Sequence, residues 1–147
     1  PGRLKGLHPA MRQTFDESTD RSFGPKHVPL IRKPMADQGL DGFVVPHEDE
    51  HQNEYLPDAN ERLAWVSGFT GSAGAAIIFM DRAVLFADGR YTLQSREQTD
   101  PAVFAVEDFH TGSLSDAVAS ARPGAVIGYD ARLLSPEHVG RLEAAAR

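Results

Sequence analysis

Two short apolar segments that stand almost side by side constrain the fold of this chain more than any other feature. Residues 75–80 and 83–87 are apolar throughout, and only Asp81 and Arg82 separate them. Strands joined by so short a connection pair as an antiparallel hairpin, because parallel neighbours need a crossover of about a dozen residues or more. Any sheet that this chain forms is therefore expected to contain an antiparallel pair.

The second half of the chain alternates strand and helix patterns. Strands are predicted over residues 103–106 and 125–129, and helices over residues 90–99, 113–121 and 135–147. Alternation of this kind is typical of parallel strands joined by right-handed helical crossovers. With a further short strand over residues 42–45, the pattern predicts an α/β fold with a mixed five-stranded sheet and helices on both faces.

The first part of the chain is predicted to hold a lead-in and one helix. Residues 1–24 are polar and aperiodic, and we interpret them as a flexible lead-in to a domain that spans residues 25–147. Apolar positions at helical spacing predict a helix over residues 27–39, with Gly39 as the residue that ends it. Pro34 lies inside this pattern and is expected to kink or shorten the helix, because proline lacks a backbone N–H.

A long polar segment separates the first strand from the hairpin. Residues 47–59 show no strand or helix pattern and predict a loop, which at this length often carries function in a compact domain. Asn60 is predicted to cap a short helix that runs to Val66, with Glu61 in its first turn. Gly68 is expected to follow the end of that helix.

Composition excludes several classes of function. The 147 residues carry a formal net charge of −6 and include no cysteine. An acidic balance argues against nucleic-acid binding, and the lack of cysteine excludes disulfide frameworks, thiolate metal sites and a cysteine nucleophile. A membrane-spanning helix needs about 20 apolar residues, far more than any run here offers. We expect no nucleic-acid partner, no membrane partner and a cytoplasmic location.

The two ends of the sequence indicate a piece of a longer protein. The chain begins without Met and without the apolar segment of a secretory signal, and a helical pattern continues to Arg147 with no capping residue after it. We therefore expect that part of the chemistry belongs to residues outside this chain.

Residues 47–51, His-Glu-Asp-Glu-His, match the H-E-x-x-H signature of zinc proteases. That site needs both histidines on one face of a helix, with the glutamate placed to activate a metal-bound water. Here the segment directly follows a strand and Pro46, and its Asp-Glu filler offers no apolar face for packing. We interpret the match as a chance occurrence in a solvated acidic loop. If it is a zinc site instead, the purified chain should retain zinc and His47→Ala should release it.

Residues 68–74, Gly-Phe-Thr-Gly-Ser-Ala-Gly, form a glycine-rich segment before the hairpin. A phosphate-binding loop follows a strand, opens a helix and, for nucleotide hydrolysis, carries Gly-Lys-Ser/Thr. This segment has the opposite order and no lysine, so we interpret it as a tight reversal in which small residues let the backbone approach the sheet. Ser72 lacks the G-x-S-x-G frame of a nucleophile elbow.

The sequence Asp-Gly-Arg-Tyr at residues 88–91 stands where a strand gives way to a helix. Ligands of α/β sheets bind at the carboxyl ends of strands. Arg90 offers a planar, permanently charged fork that suits carboxylates and carbonyl oxygens. The alternative is a structural ion pair between Arg90 and Asp88, or a nearby glutamate, at the start of the helix.

Three motifs stand in the same order as in a known family. They are H-Q-N-E-Y at residues 51–55, E-R-L-A-W-V-S-G-F-T-G-S-A-G at residues 61–74 and A-D-G-R-Y at residues 87–91. From Leu30 to about Arg147 the chain resembles the N-terminal domain of Xaa-Pro aminopeptidases in the creatinase/prolidase family, most closely their longer, three-domain cytosolic branch. His47 lies outside the matched pattern, which weakens the zinc-protease interpretation further.

The resemblance implies a three-layer α/β/α domain with a ribonuclease-H-like sheet. It also implies that catalysis belongs to a C-terminal domain absent from this chain. There, two divalent metal ions, often manganese, activate the water that attacks the peptide bond before proline. No catalytic or metal-binding residue is therefore expected here. The expected partners are the C-terminal catalytic domain of the same parent chain and a peptide substrate, and a homodimeric parent is an open alternative.

The resemblance also assigns roles to residues. In the family's longer branch the arginine of the D-G-R-Y motif takes part in peptide binding, and by position that residue is Arg90. His51, Glu54 and Arg62 occupy matched positions as well and are further candidates for substrate binding. The implied function is substrate binding and assembly in an Xaa-Pro aminopeptidase. The alternatives are the N-terminal domain of a prolidase- or creatinase-like protein, or of a catalytically inactive scaffold protein.

Overall fold

The computed structural model describes residues 19–147, so most of the predicted lead-in, residues 1–24, lies outside the described residues. The helices are α1 (Phe23–Asp37), α2 (Arg62–Ser67), α3 (Thr92–Gln98), α4 (Leu114–Ala119) and α5 (Pro136–Ala145). The strands are β1 (Gly42–Pro46), β2 (Gly74–Phe79), β3 (Ala83–Ala87), β4 (Phe104–Asp108) and β5 (Ile127–Tyr129). Two 3₁₀ turns, Asp58–Asn60 and Gly89–Tyr91, precede α2 and α3.

The five strands form one mixed sheet in the order β4-β3-β2-β1-β5. Strand β2 runs antiparallel to both of its neighbours, whereas β3 pairs with β4 and β1 pairs with β5 in parallel. The hairpin between β2 and β3 closes with a hydrogen bond of 2.8 Å from the Phe79 N–H to the Arg82 carbonyl. The predicted mixed five-stranded sheet is therefore confirmed, with its hairpin formed by the two adjacent apolar segments.

Helices cover both faces of the sheet. Alternate residues of β2 belong to different cores: Ile78 packs with residues of α1 and α2, and Ile77 packs with residues of α4 and α5. Because both faces are buried, β2 and β3 have continuous apolar sequences rather than alternating ones. None of the helices in the described part of the chain has the length and apolarity that crossing a bilayer requires.

Helix α1 begins at Phe23, earlier than the predicted start at residue 27, and runs unbroken to Asp37. The prediction that Pro34 shortens the helix is wrong. Proline removes the hydrogen bond to the Leu30 carbonyl, but Leu30 is exposed, so water can satisfy that carbonyl. Gly39 follows the end of the helix with a φ of +69°, as predicted.

Helix α2 has Glu61 at its N-cap position, so the prediction that Asn60 caps it is wrong. Asn60 instead ends the preceding 3₁₀ turn, where its N–H donates to the Pro57 carbonyl at 2.8 Å. Gly68 ends the helix in the left-handed conformation with a φ of +87°, as predicted.

We expect Gly68→Ala to destabilise the chain strongly. A Cβ atom here would lie 2.5 Å from the Gln98 backbone oxygen, and the φ of +87° disfavours any side chain. Strain and overpacking together should lower the free energy of unfolding by roughly 2–5 kcal/mol, measured by urea denaturation.

Gly140→Ala, in α5, is the matched control for Gly68→Ala. An added Cβ at Gly140 meets no atom within 4 Å. Since alanine is the better helix former, stability should be unchanged or raised. Equal unfolding midpoints for the two variants would contradict the expectation.

Candidate functional site

Four of the five strands end at one edge of the sheet, and the fifth strand begins there. Strand β2 alone runs opposite to the others. The pairing places Pro46, the last residue of β1, beside Ala75, and it places Gly74, the first residue of β2, beside Ala87. The loop after β1, the glycine-rich segment before β2 and the turn after β3 therefore meet at this carboxyl edge, where α/β sheets bind ligands.

A cavity of about 300 Å³ opens at the carboxyl edge. Its lining comes from the loop after β1, the start of α2, the glycine-rich segment, the turn after β3 and helix α3: His47, Glu54, Tyr55, Leu56, Glu61, Thr70, Gly71, Ser72, Tyr91 and Gln94. The Ser72 hydroxyl donates to Glu54 Oε1 at 3.2 Å and lies 2.8 Å from the Tyr91 hydroxyl. Three segments that are separate in sequence thus share one polar wall.

Arg90 lies at the carboxyl end of β3, in the 3₁₀ turn that precedes α3. Its backbone N–H and its side-chain Nε both donate to Asp88 Oδ1, at 3.0 and 2.9 Å, so the ion pair considered as the alternative is present. Within residues 19–147, Nε is the only side-chain nitrogen of Arg90 that donates a hydrogen bond, and the side chain is 67% exposed. The pair with Asp88 therefore orients Arg90 and leaves its two terminal nitrogens available.

The ion pair of Arg90 and Asp88 changes the pKa of both groups. The hydrogen bond from the Arg90 backbone, followed by the one from its side chain, lowers the pKa of the Asp88 carboxyl. The hydrogen bond to Asp88 is the largest cause that raises the pKa of Arg90, and the Glu54 carboxylate acts in the same direction. The guanidinium carbon also lies 5.3 Å from the centroid of the Tyr91 ring. The edge thus presents a permanent positive charge close to a carboxylate.

The structure brings Glu54 to Ser72, which lies against Tyr91, the residue after Arg90, but it places the other two candidates elsewhere. Arg62 lines a different cavity, of about 540 Å³, which it shares with Asp130 and a largely apolar set of side chains. His51 is exposed on the loop after β1 and lines neither of these two cavities. A contact of any of the four with substrate stays a prediction.

Sequence reasoning missed Asp49, which organises the loop after β1. The residue is only 3% exposed. Its carboxylate accepts hydrogen bonds from the His51 N–H at 2.9 Å, the Asn53 N–H at 3.1 Å and the Asn53 side chain at 2.8 Å. These bonds, that of the Asn53 side chain first, lower the pKa of Asp49. The available signal was the common turn in which the backbone N–H two residues after an aspartate donates to the aspartate's carboxylate.

His47 is also buried, at 6% exposure, so the interpretation of its loop as solvated is wrong for His47 and Asp49. The polar groups of this loop form hydrogen bonds with one another, which allows them to be buried away from solvent. Residues 47–51 form no helix, so the two histidines do not share the helix face that a zinc protease needs. The described residues contain no group of three or more His, Asp or Glu that could hold a metal ion. They therefore do not fit a two-metal centre, which the resemblance assigns to the C-terminal domain.

Comparison with known proteins agrees with the motifs. The Creatinase/Prolidase N-terminal domain, as a family model, matches residues 28–147. A probable Xaa-Pro aminopeptidase P from Coprinopsis cinerea is 38% identical over 127 residues, which cover 80% of this chain and 19% of that protein. Its counterpart from Neurospora crassa is 35% identical over 137 residues, which cover 90% of this chain and 20% of that protein. The chain spans about a fifth of the length of these curated relatives.

Two solved structures share the fold. The crystal structure of X-prolyl aminopeptidase from Caenorhabditis elegans, described as a cytosolic enzyme with a di-nuclear active site, matches with a TM-score of 0.74 at 26% identity, over 84% of this chain and 23% of that one. The N-terminal domain of the cytoplasmic peptidase PepQ from Mycobacterium tuberculosis matches with a TM-score of 0.58 at 25% identity, over 82% of this chain and 84% of that one. Both likenesses confirm the predicted α/β fold.

Proposed function

Because this chain belongs to the creatinase/prolidase N-terminal domain family, we propose that it is the non-catalytic N-terminal domain of a metal-dependent Xaa-Pro aminopeptidase. Such an enzyme removes the N-terminal residue from peptides that have proline at position two. Two divalent metal ions, with manganese favoured, belong to a C-terminal catalytic domain of the same parent chain. The parent acts in the cytoplasm, which the description of the C. elegans enzyme as cytosolic supports.

The observation that carries the proposal is the available guanidinium fork of Arg90 at the carboxyl edge. Asp88 holds Nε, so the terminal nitrogens have a defined direction and can donate to a peptide carbonyl or carboxylate. The Ser72 and Tyr91 hydroxyls form the neighbouring wall, and the Glu54 carboxylate accepts a hydrogen bond from Ser72 in that wall. In this role the domain binds and orients the peptide, and the bond is broken on the catalytic domain.

The test compares the purified 147-residue chain with its full-length parent on the same Xaa-Pro peptide in the presence of manganese. We expect the parent to release the first amino acid and the chain to release none, because the described residues offer no metal-ligand set. Chelation should abolish the release by the parent, and added manganese should restore it. A chain as active as the parent, or a parent insensitive to chelation, would contradict the proposal.

A further inference from the structure

A buried histidine lies beneath the polar wall of the carboxyl edge. We propose that His47 is a positioning residue for peptide binding: its imidazole, held between Glu61 and the backbone of Glu54, determines where the Glu54 carboxylate lies in the polar wall with Ser72 and Tyr91. The link to peptide rests on the proposed function, whereas the hold on Glu54 does not.

The hydrogen bond between His47 and the backbone determines where the imidazole proton is. His47 Nε2 lies 2.8 Å from the Glu54 carbonyl oxygen. A carbonyl oxygen can only accept, so Nε2 carries a proton and donates it to this bond. A neutral His47 then has a bare Nδ1 on the opposite side of the ring.

Glu61 faces that opposite side. Its Oε2 atom is buried, lies 3.7 Å from His47 Nδ1 and accepts no hydrogen bond within the described part of the chain. A bare Nδ1 and an ionised carboxylate would be two acceptors facing each other, whereas a proton on either atom removes that repulsion. Whether that proton sits on His47 or on Glu61, Nε2 keeps its own proton and its bond to Glu54.

The hydrogen bond from His47 fixes the backbone of Glu54 in a loop that has little regular structure. Between β1 and the 3₁₀ turn at Asp58–Asn60 the chain forms neither helix nor strand. The backbone of Glu54 is bound by His47, and its carboxylate accepts from Ser72, which in turn contacts Tyr91. A continuous set of contacts thus runs from the buried imidazole to the wall beside Arg90.

Two pairs of variants distinguish this role from simple space filling. Glutamine at position 47 can place its amide nitrogen near the position of Nε2, whereas asparagine is shorter and reaches only the position of Nδ1. Because asparagine is also smaller by one methylene, His47→Met is the control for volume: methionine matches glutamine in length and has no donor. If His47 only fills space, His47→Met and His47→Gln should behave alike.

The kinetic test uses the full-length parent and an Xaa-Pro peptide. We expect His47→Asn to raise KM by about three- to tenfold with kcat within about twofold of the wild type, as the loss of one positioning hydrogen bond predicts. His47→Gln should restore most of the wild-type KM. Equal KM values for the two variants, or a loss confined to kcat, would overturn the proposal.

A second test needs no catalytic activity. Long-range ¹H–¹⁵N correlation spectra of the 147-residue chain report which imidazole nitrogens carry protons, and we expect Nε2 of His47 to be protonated. The backbone amides of residues 54–56 should exchange faster in His47→Asn than in His47→Gln. A bare Nε2 with a proton on Nδ1 overturns the positioning role itself. A parent that lacks Xaa-Pro activity rejects the proposed function instead, and with it the link to peptide.

Discussion

In the full-length parent, Arg90→Ala should lower kcat/KM for an Xaa-Pro peptide by about ten- to a hundredfold and leave the melting temperature almost unchanged. The kinetic loss is large because a charge-assisted hydrogen bond to the peptide disappears. The loss of stability is small because the Arg90 side chain is 67% exposed and its pair with Asp88 is screened by water. Kinetics and thermal unfolding are measured on the same preparation.

Arg132 provides a matched control for Arg90. It also pairs with an aspartate two residues earlier at the carboxyl edge, and its side chain is 75% exposed. Unlike Arg90, it uses both Nε, at 3.1 Å, and a terminal nitrogen, at 2.7 Å, to bind Asp130. Arg132→Ala should therefore leave kcat/KM unchanged.

Arg90→Lys should rescue only part of the activity, because lysine keeps the charge and lacks the planar fork. The substrate role would be rejected if Arg90→Ala left kcat/KM unchanged while it lowered the melting temperature. That result would instead support a structural role for the ion pair with Asp88.

Phe69→Ala should lower the free energy of unfolding by about 3–5 kcal/mol, a large share of the roughly 5–15 kcal/mol that stabilises a typical domain. Phe69 is fully buried in the core that α1 and α2 form with the sheet. Its ring is enclosed so closely that a Cβ at Gly71 would lie 2.3 Å from it, and it makes an edge contact with Tyr91 at 5.8 Å between centroids. Truncation leaves a cavity beneath the glycine-rich segment.

Urea denaturation of the 147-residue chain measures the effect of Phe69→Ala. Phe69→Leu should cost less, because leucine refills part of the cavity. Phe109→Ala, at a phenylalanine that is partly exposed after β4, should cost under about 1 kcal/mol. Similar losses for Phe69→Ala and Phe109→Ala would show that Phe69 does not anchor the glycine-rich segment.

The sheet could be predicted because its strands carry local signals. Two apolar segments separated only by Asp81 and Arg82 allow one kind of pairing, and the helix between β3 and β4 implies that those strands are parallel. The first turn of α1 lies against a distant strand instead. Gly24 lies so close to Phe104 that an added Cβ would be 3.3 Å from its ring, and no local pattern reveals that contact.

The site was predictable only in part. The place of Arg90 follows from the end of β3, a local feature. Its proximity to Glu54, and its separation from Arg62, depend on the order of the strands across the sheet, which the sequence distances between these residues do not reveal. His47 and Asp49 were assigned to solvent because their segment is polar, whereas hydrogen bonds within the loop allow both to be buried.

The proposed Xaa-Pro aminopeptidase function is tested most directly by the rate at which the full-length parent, loaded with manganese, releases the first residue from two peptides that differ only at position two. One peptide has proline there and the other has alanine. We expect release from the proline peptide and little from the alanine peptide, with the proline rate lowered by Arg90→Ala and unchanged by Arg132→Ala. No release from the proline peptide, or equal release from both peptides, would contradict the proposed function.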